Sequence, residues 1–265
     1  YTQAGMPDES WNSWASKVIF YWVHRVSGDT GLRLLNLGVV VGVCALIFRY
    51  VHAKTRHLGY ATLVTCLTLC LHNRVQSLRP LLFAELLFVL VSVEWLASFE
   101  NFSKKKAAGL LFIAMLWANL HASVVVLLPI VLVYSLAKIS EAMFEKTSVP
   151  WLSILAPLFV FLGSCLNPIG FGIYEYALRL SSEGSSLGGE WRPHYPVSMV
   201  EHAKSTFLHI ATDINSLIIF VSAFVIAGFI RKQPELSRGI KLFWGLLSAV
   251  TCGLAILSTR HIVYL

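Results

Sequence analysis

The feature that most constrains this chain is the recurrence of apolar runs with little sequence between them. They occupy residues 32–50, 58–71, 81–99, 107–118, 122–137, 151–166, 216–230 and 242–257. Hydrophobic residues make up 56% of the 265 and charged residues only 13%, against roughly 25% charged in an ordinary soluble domain. So much apolar surface is expected to lie in a bilayer, in about eight membrane segments. Hydrocarbon offers backbone N–H and C=O groups no partners, and no barrel-type alternation runs through these segments, so helix is the expected conformation. The expected fold class is therefore all-α, a polytopic integral membrane protein with short helical hairpins and one long external loop. Several runs fall short of the roughly 20 residues of a full span, which points to paired helices turning back near one surface or to pieces that reach only part way.

A single transmembrane domain over 1–265 is expected. It divides into an external amphipathic segment (1–31), six membrane segments (32–166), an external loop (167–215) and two further segments (216–265). The chain starts at Tyr1 and is still apolar at Leu265, with no signal-peptide layout at its start, so it reads as part of a longer protein.

The net charge of +7 does not indicate a nucleic-acid partner, because the basic residues punctuate the spans. Arg49, Lys54 and Arg56 follow the first run, and Lys104, Lys105 and Lys106 precede the fourth. Lys138 and Lys146 follow the fifth, and Arg231, Lys232, Arg238 and Lys241 separate the last two. If the spans alternate, all four clusters fall on one side, which the positive-inside rule makes the cytoplasm. The five cysteines, Cys44, Cys66, Cys70, Cys165 and Cys252, all sit in apolar runs without zinc-type pairing, and read as small buried hydrophobes.

The same alternation sends the unusual polar residues to the opposite face. Asn119 and His121 interrupt the apolar stretch "LLFIAMLWANLHASVVVLLPIVLVYSL". They are expected at the tip of a helical hairpin, where water and loops satisfy them. A single long helix would instead carry "RKQPELSR" to the outer face, against the charge bias. Residues 167–215 open with a helix-breaking Asn-Pro and two glycines. They continue through an amphipathic "YEYALRL", a Gly/Ser loop, and "GEWRPHYP". The front segment, with Trp11, Trp14, Phe20, Tyr21 and Trp22 around Lys17 and Arg25, has the composition of a helix in the headgroup layer.

On that face the sequence gathers His72, Asn73, Arg74, Arg79, Asn119, His121, Glu190, Arg192, His194, Arg260 and His261. Guanidinium forks match phosphate oxygens, so an anionic group such as a lipid-carried phosphate is the fitting ligand, although any one arginine by itself more often meets an ordinary headgroup. Arg74, Arg79, Arg192, Arg260 and His261 are the candidate lipid-phosphate ligands. Glu190 and His121 are candidate acid–base groups, with Asn119, Asn167 and Trp191 positioning substrate. A loop ion pair of Glu190 with Arg192 or Arg179, and a helix-tip role for His121 and Asn119, stand beside those readings. Glu85 and Glu94, inside the third run, would matter most in a flippase. No metal is expected, His202 and His209 lacking partners, and neither a Walker or dinucleotide fingerprint nor a serine-nucleophile elbow is found.

"YTQAG" followed by a tryptophan-rich helix, "TGLRLLN", "RVQSLRP", "LWANLHAS", "LNPIG", "GEW" and the closing "STRHIVYL" together resemble bacterial multi-span proteins of the GT-C glycosyltransferase superfamily. The similar types are the protein mannosyltransferases and the aminoarabinose transferases. The resemblance spans nearly the whole chain, through short and degenerate motifs. It implies transfer of a sugar from a polyprenyl-phosphate carrier, the donor substrate, to an acceptor at the extracytoplasmic face of a bacterial inner membrane, with no further cofactor. The family's acidic residue early in the first external loop would lie upstream of Tyr1, and Asp8 and Glu9 substitute for it only weakly. Expected partners are membrane lipids, the lipid-linked sugar and membrane proteins. A non-catalytic subunit or scaffold of a membrane complex is the competing class.

Overall fold

A computed structural model describes residues 13–71, 79–96, 102–148 and 150–182, together with Lys241 and Gly245. The chain forms two compact units, Tyr1–Leu178 and Arg179–Leu265, and the helices between Trp14 and Leu178 make up the first. The expected segments 216–230 and 242–257 and most of the loop 167–215 lie outside the described residues.

Every regular element among the described residues is helical. In chain order these are α1 (Trp14–Thr55), α2 (Leu58–Leu71), α3 (Leu81–Val91), which continues as a π-helical turn (Ser92–Leu96), and α4 (Lys104–Leu120). A 3₁₀ turn (Ala122–Val126) leads into α5 (Leu127–Glu145), followed by α6 (Trp151–Ile154), α7 (Ala156–Cys165) and α8 (Gly172–Ser182). Two stretches, Trp14–Thr55 and Ala122–Glu145, are long and apolar enough to cross a membrane, while Leu58–Leu69 and Ala156–Cys165 are apolar but shorter.

The 32–50 run belongs to a longer helix that also takes in most of the front segment. That helix is broken at Gly28, whose φ of 58° and ψ of −154° lie in a region essentially restricted to glycine. The break is sharp. Phe20 stacks on Phe83 at 5.6 Å between ring centroids, and Val39 and Val40 pack with Leu82 and Phe83 in one cluster. In a straight helix Phe20 and Val39 would stand about 28 Å apart at 1.5 Å per residue. The arm 14–27 therefore folds back onto the start of α3 instead of extending the arm 29–55.

Pairwise contacts fix the directions of the helices. Val39 and Val40 cluster with Leu82, a Cβ on Gly42 would stand 3.6 Å from Leu86, and Arg49 pairs with Glu94, so the second arm of α1 runs parallel to α3. Trp95 lies against Gly109 and Phe88 meets Trp117 edge-on at 6.4 Å, so α4 runs antiparallel to α3. At its far end α4 stops at Leu120. His121 is extended (φ −163°, ψ 140°) and the chain re-enters helix through the 3₁₀ turn. A break at the Asn119–His121 tip is thus present, and a single uninterrupted helix over this stretch is not.

The bundle consequently has two chemically distinct ends. At one stand Trp14, Ser16, Arg79, Asn119, His121 and Asn167, which we term the asparagine end. At the other stand Arg49, Glu94, Lys104, Lys105, Lys106 and Ser153, the lysine end. There the Ser153 hydroxyl accepts the Phe102 N–H at 3.0 Å, and the Ser135 hydroxyl donates to the Ser153 carbonyl at 2.7 Å. Lys138 departs from the expected pattern: it is not a surface marker but is 6% exposed, with its ammonium 2.9 Å from Glu141 one helical turn on.

The tightest helix–helix approach is between α4 and α7. A Cβ built on Gly163 would overlap the Leu111 carbonyl oxygen and come within 2.9 Å of Ala114 Cβ. Small residues let backbones approach in this way where apolar burial supplies little force between helices. Gly163→Ala is expected to destabilise the protein by about 1–3 kcal/mol through overpacking, read as a lower thermal midpoint in detergent. Gly38→Ala, on an α1 position with nothing within 4 Å, is expected to leave stability level or raise it by about 0.5–1 kcal/mol. Equal effects from the two substitutions would contradict the packing described.

Candidate functional site

The asparagine end is organised around one side chain. Asn119 Oδ1 accepts the indole N–H of Trp14 at 2.8 Å, and its Nδ2 donates to the Met115 carbonyl at 2.8 Å and the Leu166 carbonyl at 2.9 Å. The Met115 bond is local, within one helical turn. The other two join α4 to the start of α1 and the end of α7. Immediately beside them the buried Ser16 hydroxyl donates to the Leu120 carbonyl at 2.7 Å. This carbonyl belongs to the last turn of α4, where no intrahelical donor remains.

His121 follows in sequence and closes two gaps at once. Its N–H donates to the Trp117 carbonyl at 2.7 Å, ending α4. Its Nδ1 accepts the Ser123 N–H at 3.0 Å, capping the 3₁₀ turn as an N-cap side chain does. A neutral imidazole whose Nδ1 lone pair is taken carries its proton on Nε2. The ring is therefore a donor at Nε2, and a base role would first require releasing the cap. Trp117, fully buried, donates from its indole to the Ser123 hydroxyl at 3.1 Å, pinning the other side of the turn.

Asn167 spends its side chain on its own loop. Nδ2 donates to the Ser164 carbonyl at 2.5 Å and the Gly170 carbonyl at 3.1 Å, while Oδ1 accepts the Ile169 N–H at 2.8 Å. This is the local side-chain to backbone bonding that makes Asn a turn former. The turn delivers α8, whose Tyr174 hydroxyl lies 2.7 Å from the buried Ser164 hydroxyl. Burial pushes the Tyr174 phenol above its usual range, and the Ser164 contact partly offsets that shift. Tyr174 also gathers with Phe161 and Phe171 into a three-ring cluster, with centroids 5.6–6.0 Å apart.

Of the residues singled out from sequence, the structure brings Asn119, His121 and Asn167 to one end, with Arg79 exposed at the start of α3 on the same end. Arg74, Glu190, Trp191, Arg192, Arg260 and His261 lie outside the described residues. Among the described residues no group of three His, Cys, Asp or Glu side chains is arranged to hold a metal ion. Trp14 and Ser16 were not singled out as part of this site. A signal for Ser16 exists, since it falls with Ile19, Phe20 and Val23 on the inward face of its arm, where a lone hydroxyl needs a partner. Glu85 is likewise buried, at 7% exposure, one turn into α3, and is engaged by a polar or electrostatic contact within the protein.

Comparison with protein-family models, with curated proteins and with solved structures found no match to this chain.

Three hydrogen bonds converge on Asn119, each worth about 1 kcal/mol net. Asn119→Ala is expected to lower unfolding stability by about 2–3 kcal/mol, and Trp14→Phe, which removes one bond and keeps most of the ring, by about 1 kcal/mol. Thermal unfolding of the purified variants checks the order. A Trp14→Phe loss equal to that of Asn119→Ala would show that the Met115 and Leu166 bonds contribute nothing.

Proposed function

We propose that this chain is the membrane-embedded core of a transferase that moves a sugar from a polyprenyl-phosphate carrier to an acceptor at the asparagine end. The observation that carries this reading is the convergence on Asn119. Its amide ties together the tryptophan-rich front segment, "LWANLHAS" and "LNPIG", three separate elements of the GT-C resemblance. Motifs far apart in sequence that meet at one end of a bundle are what a site built between helix ends requires.

The orientation follows from charge. Lys104, Lys105 and Lys106 occupy the first turn of α4, where the helix dipole disfavours cations. The positive-inside rule explains this placement, and local helix stability does not. With the lysine end in the cytoplasm of a bacterial cell, the asparagine end faces outward. The exposed apolar side chains Leu34, Leu37, Val41, Leu63, Leu132, Leu136, Leu158 and Leu162 then face lipid.

The reaction needs a carboxylate to take the proton of an acceptor hydroxyl as its oxygen bonds to the anomeric carbon, and the sequence offers Glu190 for that step. The bond from that carbon to the carrier phosphate breaks, and the phosphate leaves with the electron pair. Cationic donors are needed to stabilise that charge as it develops, and the sequence's candidates for them are Arg74, Arg79, Arg192, Arg260 and His261. His121 contributes as an Nε2–H donor instead of as a base. Asn119 and Asn167 act by holding the loops in place, and Trp191 offers a face for the sugar. Arginines supply the charge stabilisation, so no metal is invoked.

A second reading has its own support. The polar atoms of Asn119 and Asn167, and Nδ1 of His121, are committed to the fold, as a scaffold subunit of a membrane complex would also need. Transfer assays with a lipid-linked sugar separate the two. Glu190→Gln and Arg192→Ala are each expected to reduce transfer by about 10²–10⁴-fold with an unchanged thermal midpoint. Full transfer in both variants, or none in the wild type together with a stoichiometric protein partner in native mass spectrometry, would favour the scaffold.

Orientation is checked separately in a background with the five native cysteines replaced. A cysteine replacing Lys105 is expected to react with an impermeant maleimide only from the cytoplasmic side, and one replacing Pro168 only from outside. The reverse pattern would invert the proposal.

A further inference from the structure

The arm 14–27 has two faces with different tasks. Its inward face is fixed by the Trp14 and Ser16 hydrogen bonds to the α4 tip and by the stacking of Phe20 on Phe83. Those contacts leave the arm little freedom to roll, so its outward face is defined. Read away from the tip, that face carries Val18, then Tyr21 and Trp22, and then Arg25 and Val26, with Lys17 also exposed near its start. Exposed tyrosine and tryptophan beside an arginine are what a helix at headgroup depth presents. The cation is also pre-set: the Arg25 guanidinium lies over the Trp22 ring, 5.4 Å from its centroid, with Nη1 3.4 Å from the Tyr21 hydroxyl. A guanidinium held over an aromatic face still presents its N–H fork outward, where it matches phosphate oxygens. Lys17, on the same arm, is engaged by a contact within the protein.

We infer that Arg25, with Tyr21 and Trp22, binds the phosphate of a bilayer phospholipid, and that the arm transmits this binding to the Asn119–His121 tip through Trp14 and Ser16. The occupant is the surrounding leaflet's own lipid: the face presents tyrosine and tryptophan, which sit at headgroup depth, and the Arg25 guanidinium between them complements a phosphate. Binding there holds the arm down, and the arm holds the tip, so a phosphate-bearing leaflet orders the end of the bundle where His121 caps its turn. This rests on the membrane placement proposed above but not on the transfer reaction, and its readouts do not involve sugar transfer.

The test uses the full chain in lipid particles made either of phosphatidylglycerol or of a galactolipid that lacks phosphate. Retention of the protein in both particles establishes membrane placement independently. Hydrogen–deuterium exchange over residues 121–126 is expected to be about tenfold slower in phosphatidylglycerol, the protection that one charge-assisted hydrogen bond provides. Arg25→Ala should abolish that difference and Arg25→Lys restore part of it. Trp14→Phe combined with Ser16→Ala should abolish it while brominated lipid still quenches Trp22. Trp22 itself is identified by the loss of quenching in Trp22→Phe. Equal exchange of the wild type in the two lipids would overturn the inference. So would a difference that persists in Arg25→Ala, or quenching unaltered by Trp22→Phe.

Discussion

The architecture of the asparagine end depends on how closely α4 and α7 approach. Gly163 sits where any side chain would strike the Leu111 carbonyl, and only that closeness brings the Leu166 carbonyl within 2.9 Å of the Asn119 amide. A carbonyl at the end of α7 and an amide at the end of α4 then satisfy each other. With Leu166 fixed, the Asn167 turn that follows is aimed, and with Asn119 fixed, the Trp14 indole has its acceptor. Apolar packing alone would hold the two helices together without specifying their axial register; a polar bond between their ends does specify it.

Three breaks in helical structure convert a set of rods into a site, and each has a different chemical origin. Gly28 supplies a backbone conformation that other residues avoid, letting the first arm fold back over α3. His121 interrupts α4 by taking an extended backbone and repairs the break with its own ring nitrogen. Asn167 ends α7 and bonds three groups of its own turn. At His121 and Asn167 the groups exposed by ending a helix are met by a side chain within a few residues or by another helix end. The cost of breaking helix in apolar surroundings is thereby kept low.

The lysine end follows different rules. Arg49 and Glu94 join α1 to the π-helical turn, and Ser153 is bonded from both Phe102 and Ser135. Lys138 and Glu141 are both largely buried and one turn apart. A buried ion pair contributes little net stability once desolvation is counted; what Glu141 does is give the inward-facing Lys138 ammonium a partner on its own helix. Charge at this end therefore occurs in two settings: Lys104 and Lys105 are exposed, and Lys138 is buried with Glu141.

Much of this was legible in the sequence because it is local. Apolar runs give helices, and 58–71 and 151–166 map onto α2 and onto α6 with α7 almost residue for residue. The amide and imidazole at 119 and 121 announced the break between α4 and α5, and Asn-Pro with two glycines announced the turn before α8. The link from Trp14 to Asn119 was not legible, nor was the fold-back at Gly28 or the burial of Lys138. Trp14 and Asn119 are 105 residues apart, and no periodicity records which distant acceptor an indole will find. A glycine in a helical run is compatible with a straight helix, a kink or a reversal, and a lysine after an apolar run with surface or interior. By itself the sequence determined that the described part of the chain forms apolar helices, where several of them end, and on which residues the polar chemistry falls. The tertiary structure alone decided which helix ends share hydrogen bonds, because that depends on the approach distance and axial register of helices remote in sequence.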